Sequence, residues 1–180
     1  MRGELTYRRM PSSIAHGFVA LALGAAILPR PLPRRLAITG VTCAVLLDLD
    51  AIGRPFGRGD VMWLGGHRGL THSLFFAVVV AALLALLWKG LASGAHTRWR
   101  VFAFLGSAMI AHGILDMFTD DHPAVAIFAP FSWQRFEAPW EPFHRIWMEI
   151  FIVWIPCWVF LRYRNRIRNG RGEPAGGPSP

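Results

Sequence analysis

Apolar residues are gathered into five runs, Ile14–Leu28, Leu36–Ile52, Leu74–Trp88, Val101–Phe118 and Ile146–Leu161, separated by short polar or Gly/Pro-containing segments. Each run falls somewhat short of the roughly 20 residues that cross a hydrocarbon core unaided, yet each is apolar around its whole circumference. In lipid the backbone finds no hydrogen-bond partners outside itself, and five short segments cannot close a barrel, so helix is the expected state of every run. The pattern therefore predicts an all-α fold, a polytopic membrane helical bundle of about five short spans. A compact soluble all-α domain with buried helices is the alternative.

The polar residues that interrupt this pattern are not scattered. His16 opens the first run, and Asp48 and Asp50 close the second. His67 and His72 precede the third, His112 and Asp116 lie near the end of the fourth, and Glu149 is in the first turn of the fifth. Five alternating spans put start, end, start, end and start on one membrane face, which predicts a single site built from all of them. His96, in a loop on the other face, is expected to be an exposed histidine without a role in the site.

Composition agrees with the membrane reading, since 53% of the 180 residues are hydrophobic and the mean hydropathy is +0.36, high for a soluble domain of this size. Arg8 and Arg9 ahead of an apolar run resemble a signal peptide, but "PRPLPRR" stands where a small-residue cleavage site belongs, so the first run is expected to remain as a span. Cys43 and Cys157 lie within apolar runs with no CxxC partner, which points to neither a disulfide framework nor a thiolate metal site. The domain is expected over 1–162, with 163–180 as a basic, Pro/Gly-rich disordered tail. Its arginines are read as a juxtamembrane arm, and no nucleic-acid partner is expected.

Spacing adds detail. In "AHGILDMF" His112 and Asp116 are four apart and share one helical face, which suits joint ligation of an ion. In "LLDLD" the two aspartates point about 200° apart on a regular helix, so the chain must unwind near Asp48 or only one of them reaches the site. Singly, each residue has a plainer role: His16 as a packing histidine, Glu149 as an acidic residue near a helix N-terminus, Asp48 and Asp50 as terminators. Together they form the nitrogen-and-oxygen donor set of zinc, manganese or iron, and ionisable side chains at membrane depth are costly enough to imply a function.

At these positions the chain resembles the YdjM-type membrane-bound metal-dependent hydrolases. "MPSSIAHGFVALALG" matches their "MPS-x-IAH" opening, "LLDLD" their "LPDLD", and "GHRGLTHSL" their "GHRG-x-THSL" residue for residue. "HGILDMFTDDH" and "APFSWQRFEAPWEPF" match the later blocks, so the resemblance covers nearly everything before the basic tail. Two departures stand out: Leu47 replaces a proline ahead of Asp48, and Asp121–His122 replace glycines. The resemblance implies a divalent-metal site with His16, Asp48, Asp50, His67, His72, His112 and Asp116 as ligand candidates, beside Glu149. So many ligands imply two ions, most simply zinc, roughly 3.5–4 Å apart with a bridging carboxylate.

The expected activity is hydrolysis by a metal-activated water on a phosphoester or lipid-type substrate, with Arg68 holding developing negative charge and Asp120, Asp121 or His144 as proton donor. A metal-binding transporter or a non-catalytic structural membrane protein is the alternative. The bacterial inner membrane is the expected location, and the bilayer the expected partner. Orientation follows from charge. Eight arginines fall on the site side (Arg2, Arg8, Arg9, Arg54, Arg58, Arg68, Arg135, Arg145) and eleven cations opposite, including Arg162, Arg164, Arg166, Arg168 and Arg171. The positive-inside rule then predicts a cytoplasmic tail and a site facing the periplasmic or extracellular side.

Overall fold

The computed structural model describes residues 13–29, 31–51, 64–119 and 124–170, and the element order is α1 (Ser13–Ile27), α2 (Arg34–Val45), α3 (Leu74–Leu87), α4 (Arg98–Asp116), α5 (Ile146–Glu149) and α6 (Ile155–Gly170). Among the described residues the chain is all-helical, with no strand beyond an isolated antiparallel bridge between Val125 and Phe136. A π-helical turn over Ile150–Trp154 joins α5 to α6, so residues 146–170 run on as one rod, the fifth among the described residues. Pro156 offers no N–H to the ring of bonds behind it, and the wider turn lies just ahead of it.

α4 stands in the middle and packs against α1, α2 and α3. Its buried face reads Val101, Phe104, Leu105, Ala108, Met109, His112, Gly113 and Asp116, apolar at the start and polar at the end. Phe104 fills the centre, where Gly24 of α1 and Gly40 of α2 face its ring closely; a Cβ built on Gly40 would lie 2.2 Å from it. α3 buries only Ala77, Ala81 and Ala85, spaced four apart, and turns Val78, Val79, Leu83, Leu86 and Leu87 outward. α2 and α3 both lean on α4 but hardly touch each other.

Among the described residues one helix, Ile146–Ile167, is long and apolar enough to cross a membrane by itself, while α1 and α3 are apolar but shorter. The expected five spans were drawn along apolar runs, and several helices stop short of them. α2 ends at Val45 rather than Ile52, because the chain tightens into a 3-10 helix over Leu46–Ala51. Conversely the last helix continues to Gly170, into the segment expected as a disordered tail from 163. There the Arg162 guanidinium lies 5.1 Å over the Trp158 ring and that of Arg164 5.8 Å over Phe160, which lets long basic side chains line the rod.

Candidate metal centre

The site lies where four chain segments meet at one end of α4, and each is shaped to bring a polar group inward. α2 gives way to the 3-10 helix at Leu46 although Leu47 stands where the resemblance puts proline. The tighter winding lets both aspartates converge on His72 from its two ring nitrogens: Asp48 Oδ1 is 3.5 Å from Nε2 and Asp50 Oδ2 3.3 Å from Nδ1. His72 closes the 3-10 turn Leu70–His72, held by Ser73, whose hydroxyl donates to Leu70 O at 2.7 Å and accepts from Phe76 N at 3.1 Å as the cap of α3. α4 comes within contact of this turn because position 113 is glycine: a Cβ there would lie 2.8 Å from the carbonyl oxygen of His72.

The loop before the turn adopts left-handed backbone at Gly65, Gly66 and Arg68, with φ of 83°, 76° and 59°. For an arginine that conformation is costly, and it is held by buried contacts on every side. Arg68 N donates to Asp50 Oδ2 at 3.2 Å, its Nη2 to Thr119 Oγ1 at 2.9 Å, and its Nε lies 3.2 Å from Asp116 Oδ2. Arg135 clamps the same loop by donating to Gly65 O, His67 O and Ala124 O at 2.7, 3.2 and 2.6 Å.

Two ligand groups result. Asp48, His72, His112 and Asp116 form one; Asp50, His67 and His72 form the other. In the first, five donor separations are 3.0 to 3.5 Å: His72 Nε2 to His112 Nε2 and to Asp116 Oδ2, His112 Nε2 to Asp116 Oδ2, and Asp48 Oδ1 to both imidazoles. Four donors around zinc at bonds of about 2.0–2.1 Å form a tetrahedron with edges of about 3.3 Å, so the donor set fits the ion. Asp116 Oδ2 faces the nitrogens of His72, His112 and Arg68 at 3.2 to 3.5 Å, while Oδ1 faces His16. The Asp48 side chain is 21% exposed and those of the other three at most 2%, so the approach to the group runs past Asp48.

In the second group Asp50 is buried and fully engaged. Its Oδ1 is 2.6 Å from His67 Nδ1, and its Oδ2 accepts from the Thr71 hydroxyl, which in turn lies 3.0 Å from His72 Nδ1. A carboxylate behind a ligating imidazole fixes the ring and its tautomer, and Asp50 with Thr71 occupies that position behind His72. The two groups share the imidazole of His72, Asp48 and Asp116 lying by its Nε2 and Asp50 by its Nδ1, so a ring rather than a carboxylate stands between them. Burial works against a charged His72, yet the carboxylates of Asp116, Asp48 and Asp50 outweigh it and push the imidazole up to about 10.

The remaining expectations divide. His16 is buried against the group, its ring stacked on His112 at 3.8 Å and its Nε2 3.4 Å from Asp116 Oδ1, but it belongs to neither group; it flanks the site. Glu149 is buried at the end of α5 and is also in neither group. Arg68 is buried on Asp116 and Thr119 rather than open to a substrate. Asp120 and Asp121 lie outside the described residues, as does the side chain of His144, whose backbone ends the 3-10 turn Pro142–His144. His96 is half-buried rather than exposed, its amide bonded back to Ser93 O in the α3–α4 loop. Thr71, Thr119 and Arg135 were missed. Thr71 had a signal in its place beside His72, whereas nothing in sequence ties Arg135 to carbonyls 70 residues away.

No solved structure matches the chain. A curated relative, the inner membrane protein YbcI of Escherichia coli (strain K12), is 33% identical over 84% of this chain and 95% of its own length. The family model described as YdjM inner membrane protein matches residues 10–173, a stretch that includes every donor of both ligand groups. The chain belongs to the YdjM inner membrane protein family.

Proposed function

We propose that the protein is a multi-pass membrane hydrolase that cleaves a phosphoester of a lipid-type substrate at a divalent-metal centre. One observation carries the reading: four nitrogen and oxygen donors from three segments stand at tetrahedral separations, with one of them, Asp48, at the edge of solvent. Asp48, His72, His112 and Asp116 would hold the ion, zinc being the simplest fit, and Asp50 with Thr71 would fix the His72 ring. When bound, such an ion supplies Lewis acidity and a water acidified toward neutral pKa. Arg68 balances the charge of Asp116, and the exposed edge at Asp48 is where a substrate would enter. A second ion, if present, belongs at Asp50, His67 and His72 Nδ1.

Membrane insertion as several spans is supported by the inverted packing of α3, with alanines inside and Val78, Leu83 and Leu86 outside, the arrangement of a helix whose outer surface meets lipid. With the arginine-rich end of α6 in the cytoplasm, the site opens to the periplasmic side.

Metal analysis of gently purified protein, followed by a panel of phosphodiesters and phospholipids, tests the proposal. Substoichiometric metal with no uptake of added divalent ions would sink it. One observation favours a second reading: four protein donors leave no ligand position open, as in structural zinc sites. His72→Ala separates the two, since an enzyme keeps its fold and loses turnover while a structural site loses the folded protein.

A further inference from the structure

The space left between α2 and α3 is a groove of about 410 Å³, within the roughly 300–1,000 Å³ range of ligand pockets. Its walls are two stripes. On α3 they are Phe76, Val80, Leu84 and the following Trp88, each four residues on from the last; on α2 they are Ile38, Thr42 and the following Leu46, likewise four apart. Met109 of α4 forms the floor. The lining is apolar almost throughout, and its rim residues Ile38, Leu46 and Trp88 are about half exposed, so the groove opens along its length to the outside of the bundle.

One end of the groove reaches the metal centre. Thr71 and Leu47 line it there; Thr71 donates to Asp50 and touches His72, and Leu47 precedes Asp48 in the chain. The other end is at Trp88, beyond the last turn of α3. The 14 residues of α3 span about 21 Å, enough for the acyl chain of one leaflet, which occupies about 15 Å of the hydrocarbon core.

We infer that this groove holds one acyl chain of a membrane lipid and thereby brings the lipid's polar head over Asp48, the exposed donor of the metal centre. Of the two ends of the groove, the one at Thr71 and Leu47 borders the donors, so a lipid seated with its head there presents it to the metal centre. The inference rests on the hydrolase reading in one respect, that the head so presented is the substrate; the chain-binding groove itself does not require turnover.

The test uses the full chain in nanodiscs of a phosphatidylethanolamine and phosphatidylglycerol mixture, doped with a phospholipid carrying a mid-chain diazirine. After photolysis, adducts are mapped by mass spectrometry. Adducts concentrated on Phe76, Val80, Leu84, Thr42 and Met109 are expected. Val80→Trp, and separately Leu84→Trp, should lower them roughly tenfold, while Val79→Trp on the outward face of the same helix leaves them unchanged. Metal content, read in parallel, confirms that each variant retains the centre. Adducts spread evenly over the outward residues, Val79 and Leu83 included, and insensitive to Val80→Trp and Leu84→Trp, would show ordinary surrounding lipid and overturn the inference. Groove adducts without hydrolysis of any lipid tested would uphold the groove and reject the hydrolase reading. Hydrolysis undisturbed in both groove-filling variants would do the reverse.

Discussion

His72 and His112 face each other through their Nε2 atoms at 3.0 Å, one from a 3-10 turn and the other from the fourth turn of a long helix 40 residues later. Both are ringed by the same two carboxylates, Asp48 and Asp116. Imidazoles meeting nitrogen to nitrogen amid carboxylates either share a proton or share a cation, and the separations favour the cation. His72→Ala or His112→Ala should lower bound metal at least tenfold, as read by elemental analysis of purified protein, because either loss opens the donor set. His96→Ala should leave it unchanged, and equal loss from all three variants would refute the assignment.

Metal binding should be opposed by acid. With its imidazole pushed up to about 10, His72 carries a proton at neutral pH in the metal-free protein, and a cation must displace it. Affinity should therefore rise with pH across the neutral range, by about tenfold per unit for a one-proton exchange, and level off near pH 10. Calorimetric titration in buffers of different ionisation enthalpy would report the released proton. A pH-independent affinity contradicts it.

Arg68 couples the loop to α4 through Asp116 and Thr119. Arg68→Ala removes the guanidinium from the buried Asp116 carboxylate, which keeps the His72 imidazole beside it, and takes away the bond to Thr119; it should cost about 3 kcal/mol in the metal-free protein. Arg68→Lys keeps the charge and loses the fork to Thr119, at about 1–3 kcal/mol. The measurement is thermal or denaturant unfolding in detergent; wild-type stability in Arg68→Ala would show that the pair contributes nothing.

Gly113→Ala should invert the usual effect of such a change. In the interior of an exposed helix the substitution stabilises by about 0.5–1 kcal/mol. Here the new methyl would meet the His72 carbonyl oxygen at 2.8 Å, forcing α4 away from the turn and separating the His72 and His112 nitrogens. Retained helicity by circular dichroism with lost metal is the expected result, and undiminished metal would show that the two segments can part without harm to the site.

Orientation can be read directly. A reporter active only in the cytoplasm, fused after Pro180, should be active if α6 emerges there. An inactive fusion at normal expression would place the site on the cytoplasmic side.

Much of the site was legible because its chemistry is spaced to the helical repeat. His112 and Asp116 had to share a face of any helix through them, and the i,i+2 spacing of Asp48 and Asp50 announced that a regular helix could not serve both. The answer, a 3-10 segment with the two carboxylates on opposite nitrogens of one imidazole, was not legible, because it depends on where His72 is held by α3 and by Gly113. Glu149 illustrates the converse: it is buried at the end of α5, and no spacing in the sequence tells which groups it meets there. The clamp from Arg135 to the loop at Gly65 was invisible for a similar reason, since backbone carbonyls carry no sequence signature.

The 3-10 segment also has a cost in length. With Leu46–Ala51 given over to the 3-10 segment α2 keeps 12 residues, and α1 and α3 hold 15 and 14, so the three span about 18, 22 and 21 Å at the usual rise, against a hydrocarbon core of about 30 Å. On the multi-pass reading this is hydrophobic mismatch, which a bilayer relieves by thinning around the protein. Thinning on the site side would draw phosphate groups downward toward Asp48, so that part of the work of lifting a lipid out of its leaflet falls to the membrane rather than to the protein.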